Sequence, residues 1–169
     1  MNQTMSQTAA STSGAGLFLR PNAGVLGLAD ADRADFLQRM TTNNVAALRP
    51  GDALVTVLTS PVARIIHVFS VLCRSDDLLL LPAAGDEAAL ARHLRGKIFF
   101  MDKVRVENRS AEFVRMRLIG SQAAEVLRSA ALPVPLEDDH WAEKSGVIVL
   151  AQSRFEAPGY EIIAPAADA

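Results

Sequence analysis

Two apolar runs rich in β-branched residues lie close together in the first half of the chain, and they restrict the fold more than any other feature. Ala53 to Leu58 and Ile65 to Arg74 are separated by a short segment that contains Pro61. Two runs of this length, joined by a turn segment, are typical of a β-hairpin. A third apolar run, Leu78 to Leu81, follows a Ser-Asp-Asp turn and predicts a third strand. The sequence therefore predicts a sheet with antiparallel pairing.

Three segments with apolar residues at helical spacing alternate with these strands. The predicted helices are Ala31 to Met40, Asp86 to Arg95 and Ser121 to Ala130. The first follows a short strand, Gly24 to Leu28, and either Asp30 or Asp32 offers a carboxylate that would cap its free amides. Small polar residues from Thr41 to Asn44 then favour a turn.

Several further strands are predicted in the second half of the chain. Phe113 to Leu118 alternates apolar residues with Arg115 and Arg117, which we expect to face water. Val147 to Ala151 and Tyr160 to Ala164 resemble a last pair of strands. This order of elements predicts an α+β fold with antiparallel sheets and excludes a doubly wound nucleotide-binding fold.

The size and charge of the chain exclude several classes of protein. Its 169 residues suffice for one domain, which we place at residues 14–169 after a flexible tail at residues 1–13. A formal net charge of −2 and the lack of a Lys/Arg cluster argue against a nucleic-acid partner. No segment approaches the roughly 20 apolar residues of a membrane span, and no secretory signal is visible. We therefore expect a cytoplasmic protein without membrane contact.

Few residues offer chemistry of their own. Cys73 is the single cysteine, which excludes an internal disulfide and a multi-cysteine metal cage, and its apolar run predicts a buried thiol. The histidines His67, His93 and His140 lack the spacing of a metal-binding pair, so we expect no metal site. His67 lies inside an apolar strand, where an imidazole needs a polar partner.

A series of short motifs resembles the folate-binding domain shared by the glycine-cleavage T-protein, its sarcosine and dimethylglycine oxidase relatives, and YgfZ. Each motif is weak, but their order and spacing extend over most of the chain. They are Gly14 to Phe18, Thr42 to Val45, Arg49 to Gly51, Leu58 to Ile66, Gly120 to Ala124, Ser153-Arg154 and Gly159 to Ile162.

The resemblance implies a fold and a ligand. In this family the folate-binding domain has two related α+β halves of ferredoxin-like character around a ligand channel, and smaller β domains follow. The chain resembles the first half and the opening strands of the second, so we expect it to be incomplete relative to the family. The implied cofactor is tetrahydrofolate.

Three departures from the aminomethyltransferases argue against aminomethyl transfer. Their second hairpin strand reads Gly-Gly-Ile-Leu-Asp-Asp, whereas this chain has His67 and Val68 in place of the carboxylates. A proton acceptor is needed there, and valine cannot supply one. The family's Asn-Ala after the third strand is replaced by Pro82-Ala83, and the tyrosine-bearing loop is shortened to Phe155 to Pro158. We therefore assign no catalytic residue.

YgfZ-like proteins also have a basic residue at the position of Arg64, a Pro-Ala after the third strand and a short loop before Gly-Tyr. The resemblance therefore favours a non-catalytic folate-binding protein of YgfZ type, a group implicated in maintaining iron–sulfur enzymes. The residues predicted to line the folate site are Met40, Thr42, Arg64, Pro82 and Ala83.

Two other functions fit the same sequence. The alternative is a subunit of a split aminomethyltransferase, or of a heteromeric sarcosine-oxidase-type complex in one-carbon metabolism, in which another chain carries the catalytic carboxylate. A third possibility is a structural domain that has kept the fold for protein contacts and has lost the ligand. Because half of a channel would expose apolar surface, we expect the chain to pair with itself or with a second subunit.

Overall fold

The computed structural model of the chain describes residues 14–153 and 158–166. These residues form two compact units: a central unit, residues 21–113, and a flanking unit, which combines residues up to 20 with residues from 114 onward. Each unit is built around one five-stranded sheet, so the predicted α+β class with antiparallel sheets is confirmed. The predicted tail, residues 1–13, lies outside the described residues.

The strands follow the chain as β1 to β10. They are β1 (Gly16–Leu19), β2 (Leu26–Ala29), β3 (Ala53–Thr59), β4 (Ile65–Cys73), β5 (Asp77–Pro82), β6 (Arg105–Asn108), β7 (Phe113–Ile119), β8 (Trp141–Lys144), β9 (Val147–Ala151) and β10 (Gly159–Pro165). The α-helices are α1 (Arg33–Gln38), α2 (Glu87–Arg95) and α3 (Ala123–Ser129). Short 3-10 helices span Val45–Ala47 and Ser110–Glu112.

The sheet of the central unit has the strand order β3-β4-β5-β2-β6, with antiparallel pairing throughout. The predicted hairpin is confirmed, because β3 and β4 pair in antiparallel fashion. Their β-branched residues suit the pleated surface of a sheet. The hairpin turn is closed by a hydrogen bond from the Ser60 amide to the Arg64 carbonyl at 2.8 Å. Ala63 has a φ of 58°, a left-handed conformation at the tip of that turn.

A β-bulge interrupts this hairpin close to its turn. Leu58 pairs with His67, whereas the next residue, Thr59, pairs with Ile65, so Ile66 is an extra residue in β4. A bulge bends its strand and redirects the side chains beside it. This end of β4 is largely exposed: Ile65 is 68%, Ile66 38% and Val68 44% exposed, whereas the far end of the strand is buried.

Helices α1 and α2 contribute to the core of the central unit. Phe36 and Leu37 of α1 and Leu90 and Leu94 of α2 are at most 1% exposed. They belong to one cluster with strand residues that include Leu28, Phe69, Val71, Leu78 and Leu80. Complete burial of such side chains stabilises the fold by roughly 1.5–3 kcal/mol each. The predicted helix 86–95 is thus confirmed, although Ala88 is exposed rather than on its buried side.

The first predicted helix is shorter than expected and is not capped as expected. It ends at Gln38 instead of Met40, and Asp32 precedes it without a side-chain hydrogen bond to the helix. The Asp32 carboxylate instead accepts a hydrogen bond from the Lys103 amide at 2.8 Å. A distant backbone donor therefore competes with the local capping site for this carboxylate.

The flanking unit has the strand order β1-β7-β10-β9-β8. Helix α3 contributes Ala123 and Leu127 to a core that includes Leu118, Val149 and Ile162. Two of its strands, β1 and β8, were not predicted, because each is only four residues long and lacks a clear alternation of buried side chains.

The expectation that Arg115 faces water is wrong. Arg115 is 3% exposed and its Nε donates to Glu161 Oε1 at 2.8 Å. Arg20, whose side chain is 34% exposed, completes a triad through hydrogen bonds of 2.9 and 3.0 Å to the two oxygens of the buried Glu161 carboxylate. The apolar residues of β7 do not mark the buried face here, because Val114 beside Arg115 is 37% exposed. An ion pair satisfies the buried charge of Arg115.

Candidate ligand site at one end of the central sheet

Antiparallel pairing brings three strand ends together at one end of the central sheet. The last residues of β3, the first of β4 and the last of β5 meet there, as the pairs Leu58–His67 and Phe69–Pro82 show. An isolated bridge between Thr41 and Leu58 brings the segment after α1 to the same end. The five residues predicted to line the folate site lie in these segments or next to them.

Met40 lines an open cleft of about 280 Å³ at this end of the sheet. The cleft is lined by Arg39, Met40, Leu58, Thr59, Ser60, Pro61, Ile66, His93 and Lys97. These residues come from the end of α1, the β3–β4 hairpin with its bulge, and the end of α2. Of the five predicted residues, Met40 alone lines this cleft.

Thr42 and Arg64 flank the cleft without lining it. The Thr42 amide donates to the Val57 carbonyl at 3.1 Å, and its hydroxyl donates to Asn43 Oδ1 at 3.0 Å. The Arg64 amide donates to Ser60 Oγ at 3.1 Å, and Ser60 belongs to the cleft. Both Thr42 and Arg64 have exposed or half-exposed side chains, so they are accessible to a ligand.

Pro82 and Ala83 lie at the end of β5. Pro82 is buried opposite Phe69, where it helps to pack the sheet. Ala83 is exposed, and its carbonyl accepts a hydrogen bond from the Asp86 amide at 3.2 Å. Ala83 therefore offers a ligand its backbone and methyl group, whereas Pro82 shapes the sheet beneath.

Sequence reasoning missed a pair formed by His67 and Asp86. The His67 side chain is 9% exposed, and its Nδ1 lies 3.6 Å from Asp86 Oδ2. This distance is too long for a hydrogen bond, and Nδ1 has no other partner within the described residues. The position of His67 in an apolar strand signalled the need for a partner. Only the fold could show that this partner comes from the start of α2.

Two further basic residues, His93 and Lys97, reach the cleft from α2 and the turn after it. Burial lowers the pKa of His93, and the positive charges of Lys97 and His67 lower it further. His93 is therefore held in its neutral form near neutral pH. A negative charge in the cleft would reverse this balance, because it would favour the imidazolium.

The cleft at this end of the sheet has the mixed lining of a small-molecule site. Apolar and polar side chains both line it, and its volume of about 280 Å³ is slightly below the usual range of roughly 300–1,000 Å³. The buried Nδ1 of His67 is an unused hydrogen-bonding atom nearby. Residues 155–157 of the shortened loop lie outside the described residues, whereas the Pro158 carbonyl accepts a hydrogen bond from the Gly120 amide at 3.0 Å.

Neither a metal site nor a membrane-spanning helix is visible in the described part of the chain. Residues 14–153 and 158–166 contain no group of three or more His, Cys, Asp or Glu side chains arranged to hold a metal ion. The helices among them are too short and too polar to cross a membrane. Cys73 is buried as predicted, and burial raises the pKa of its thiol.

Solved structures place the fold in a known class. The glycine cleavage system aminomethyltransferase T from Bartonella henselae matches with a TM-score of 0.86 and 22% identity, over 95% of this chain and 44% of that one. A chain of the heterotetrameric sarcosine oxidase from Corynebacterium sp. U-96 matches with a TM-score of 0.61 and 20% identity, over 95% of this chain and 82% of that one. At such low identity the two matches establish the fold alone.

The sequence comparisons define the family. The GCVT N-terminal domain family matches residues 6–155. An aminomethyltransferase of Geobacillus thermodenitrificans is 29% identical over 167 residues, which cover 92% of this chain and 44% of that protein. An aminomethyltransferase of Bacillus velezensis is 34% identical over 89 residues, or 50% of this chain and 24% of that protein. The chain belongs to the glycine-cleavage T-protein family, as the sequence motifs indicated, and it spans less than half the length of these relatives.

Proposed function

We propose that the chain is a folate-binding member of the T-protein family, of YgfZ type, that does not itself catalyse aminomethyl transfer. The observation that carries the proposal is the gathering of Met40, Thr42, Arg64 and Ala83 at the end of the sheet where β4 has His67 in place of a carboxylate. The site keeps surfaces that suit a pterin or its tail, but β4 provides no acidic group there.

The pair formed by Asp86 and His67 does not restore the missing carboxylate. Asp86 is not among the residues that line the cleft, and its Oδ2 lies 3.6 Å from Nδ1 of the buried His67. A carboxylate acts on a reacting nitrogen only within hydrogen-bond reach of it or through one water. We therefore assign Asp86 no chemistry on the ligand.

The cellular role that we propose is support of iron–sulfur enzymes. It rests on the resemblance of Arg64 and Pro82-Ala83 to the corresponding positions of YgfZ-like proteins. In this role the protein binds folate without converting it.

Calorimetric titration with tetrahydrofolate under reducing conditions tests the binding function. We expect a dissociation constant in the micromolar range, and a loss of about tenfold in Arg64→Ala from removal of one charge-assisted contact. Arg105→Ala is the matched control, because Arg105 is an exposed arginine on β6, at the opposite edge of the sheet from β3. Absence of binding at millimolar tetrahydrofolate would contradict the proposal.

A second candidate function is that of a subunit in a split aminomethyltransferase or a sarcosine-oxidase-type complex. The observation that favours it is the match to 82% of a chain from a heterotetrameric enzyme. In that case folate binding and transferase activity would appear only when a second polypeptide supplies the carboxylate. Tight folate binding by the isolated chain, without transferase activity, would favour the first function over this one.

A further inference from the structure

A second cleft, of about 240 Å³, opens at the other end of the central sheet. Its lining includes Arg33, the first residue of α1, and Cys73, the last residue of β4. The cleft beside Met40 lies near the end of α1 and the start of β4, and the two clefts share no lining residue. They are therefore separate sites, and the proposed folate-binding function makes no use of this one.

Arg33 brings a positive charge to this second cleft. Its guanidinium donates to the backbone carbonyls of Asp30 and Ser75, at 3.0 Å each, and within the described part of the chain it forms no ion pair. A guanidinium has five N–H donors, so these two bonds leave donors for a ligand. Burial raises the pKa of the Cys73 thiol, and the positive charge of Arg33 opposes that shift. The charge of Arg33 therefore acts within the cleft.

The other charged groups around this cleft are already engaged. Arg74 also lines it, but Asp77 accepts two hydrogen bonds of 2.6 Å from the Arg74 guanidinium. Asp52 accepts a hydrogen bond from the Arg49 amide at 2.9 Å. None of the described residues that line the cleft carries a carboxylate. An anion would therefore meet the Arg33 guanidinium without an acidic side chain on the walls around it.

The remaining walls limit what kind of anion this cleft accepts, because they are mostly apolar. The apolar residues are Ala31, Ala34, Val45, Leu48, Pro50 and Leu78, and one hydroxyl group comes from Ser75. An inorganic anion would leave these walls in contact with water, whereas an aliphatic chain would cover them. A guanidinium can bind a carboxylate through two parallel N–H···O hydrogen bonds.

We propose that this second cleft binds a small aliphatic monocarboxylate. The carboxylate lies on the Arg33 guanidinium, and the hydrocarbon chain lies against Val45 and Leu48. One available cation and otherwise apolar walls suit a single negative charge on a short apolar chain better than a phosphate or a dicarboxylate.

The test is an amide chemical-shift titration of the full chain with 4-methylpentanoate and with 4-methylpentanamide, which has nearly the same shape but no charge. We expect saturable shifts at Arg33, Leu48 and Ser75, and roughly fivefold or tighter binding of the carboxylate over the amide. Saturation with the carboxylate should also slow the reaction of Cys73 with a disulfide reagent, because the thiol lines the cleft.

Three variants locate the binding. Arg33→Gln should reduce the affinity for the carboxylate to that for the amide. Arg92→Gln should leave it unchanged, because Arg92 is an exposed arginine on α2 that lines neither cleft. Ala34→Met keeps Arg33 but narrows the cleft, so it should weaken the binding of both ligands. Thermal melting verifies that each variant is folded, and Ala34→Met decides the matter if Arg33→Gln does not fold.

Several results would overturn the proposal. Absence of saturable shifts with tens of millimolar carboxylate would refute the site, and equal binding of the carboxylate and the amide would refute the role of Arg33. An equal loss of affinity in Arg92→Gln would show that general surface charge causes the binding. Unchanged reactivity of Cys73, or unchanged affinity in Ala34→Met, would place the ligand outside this cleft. Each of these results leaves the folate-binding function intact, because that function is assigned to the other end of the sheet.

Discussion

The triad of Arg20, Arg115 and Glu161, in which Arg115 and Glu161 are buried, provides the sharpest test of the structure through the substitution Glu161→Gln. This change keeps the size of the side chain and removes its charge. Burial lowers the pKa of the Arg115 guanidinium, and the charge of Glu161 and its hydrogen bond oppose that shift. Without Glu161, the burial of a positive charge would be left uncompensated.

The expected loss of stability follows from the burial of both partners. Arg115 and Glu161 each have side chains that are 3% exposed, and the shortest distance between them is 2.7 Å. Removal of one partner from a buried ion pair costs about 3–5 kcal/mol, and the isosteric change should fall near the lower end. For a chain of this length, about 3 kcal/mol corresponds to a decrease in melting temperature of roughly 6–12 °C.

Urea unfolding followed by the fluorescence of Trp141 measures this loss directly. Trp141 is the single tryptophan and lies on β8 of the flanking unit, as the triad does. The control is Glu137→Gln in the same unit, where a largely exposed carboxylate lies 4.0 Å from His140 and should cost under about 1 kcal/mol. A loss for Glu161→Gln no greater than that of this control would refute the reasoning.

Three further predictions concern the central unit. The Cys73 thiol should react with a disulfide reagent slowly at pH 8 and rapidly in urea, because burial raises its pKa. A fast reaction of the folded protein would contradict this. Burial and Lys97 lower the pKa of His93, so its folded state binds the proton less well. Stability should therefore decrease as pH falls through about 6.5, and His93→Gln should reduce that slope; an unchanged slope would refute it. Gly24→Ala should lower the free energy of unfolding, measured in urea, by about 1–3 kcal/mol, because a Cβ there would lie 2.5 Å from Glu87 Cγ. An unchanged free energy of unfolding would contradict this close packing.

The local pattern of apolar and polar residues was sufficient to predict those helices and strands in which apolar residues are the buried ones. The hairpin of β3 and β4 was predicted because its β-branched runs occupy a largely buried surface. Arg115 was assigned wrongly to solvent, because its partner Glu161 lies 46 residues away and no local pattern reports that contact. The predicted cap of α1 was wrong for the same reason, because the Asp32 carboxylate accepts a hydrogen bond from the amide of the distant Lys103.

The candidate site could be predicted only in part. The motifs pointed to Met40 and Arg64, and the register of the sheet places both at one end. The basic residues His93 and Lys97 were not assigned to the site, because a helix pattern does not show which strand end the helix approaches. The contact of His67 with Asp86 depends equally on tertiary packing.

The most direct test of the central claim, that folate binds at this end of the central sheet, is an amide chemical-shift map of the chain titrated with 5-formyltetrahydrofolate. We expect saturable shifts at Met40, Thr42, Arg64 and Ala83, with little change along β6 at the far edge of the sheet. Shifts confined to β6, or no shifts at millimolar ligand, would contradict the claim.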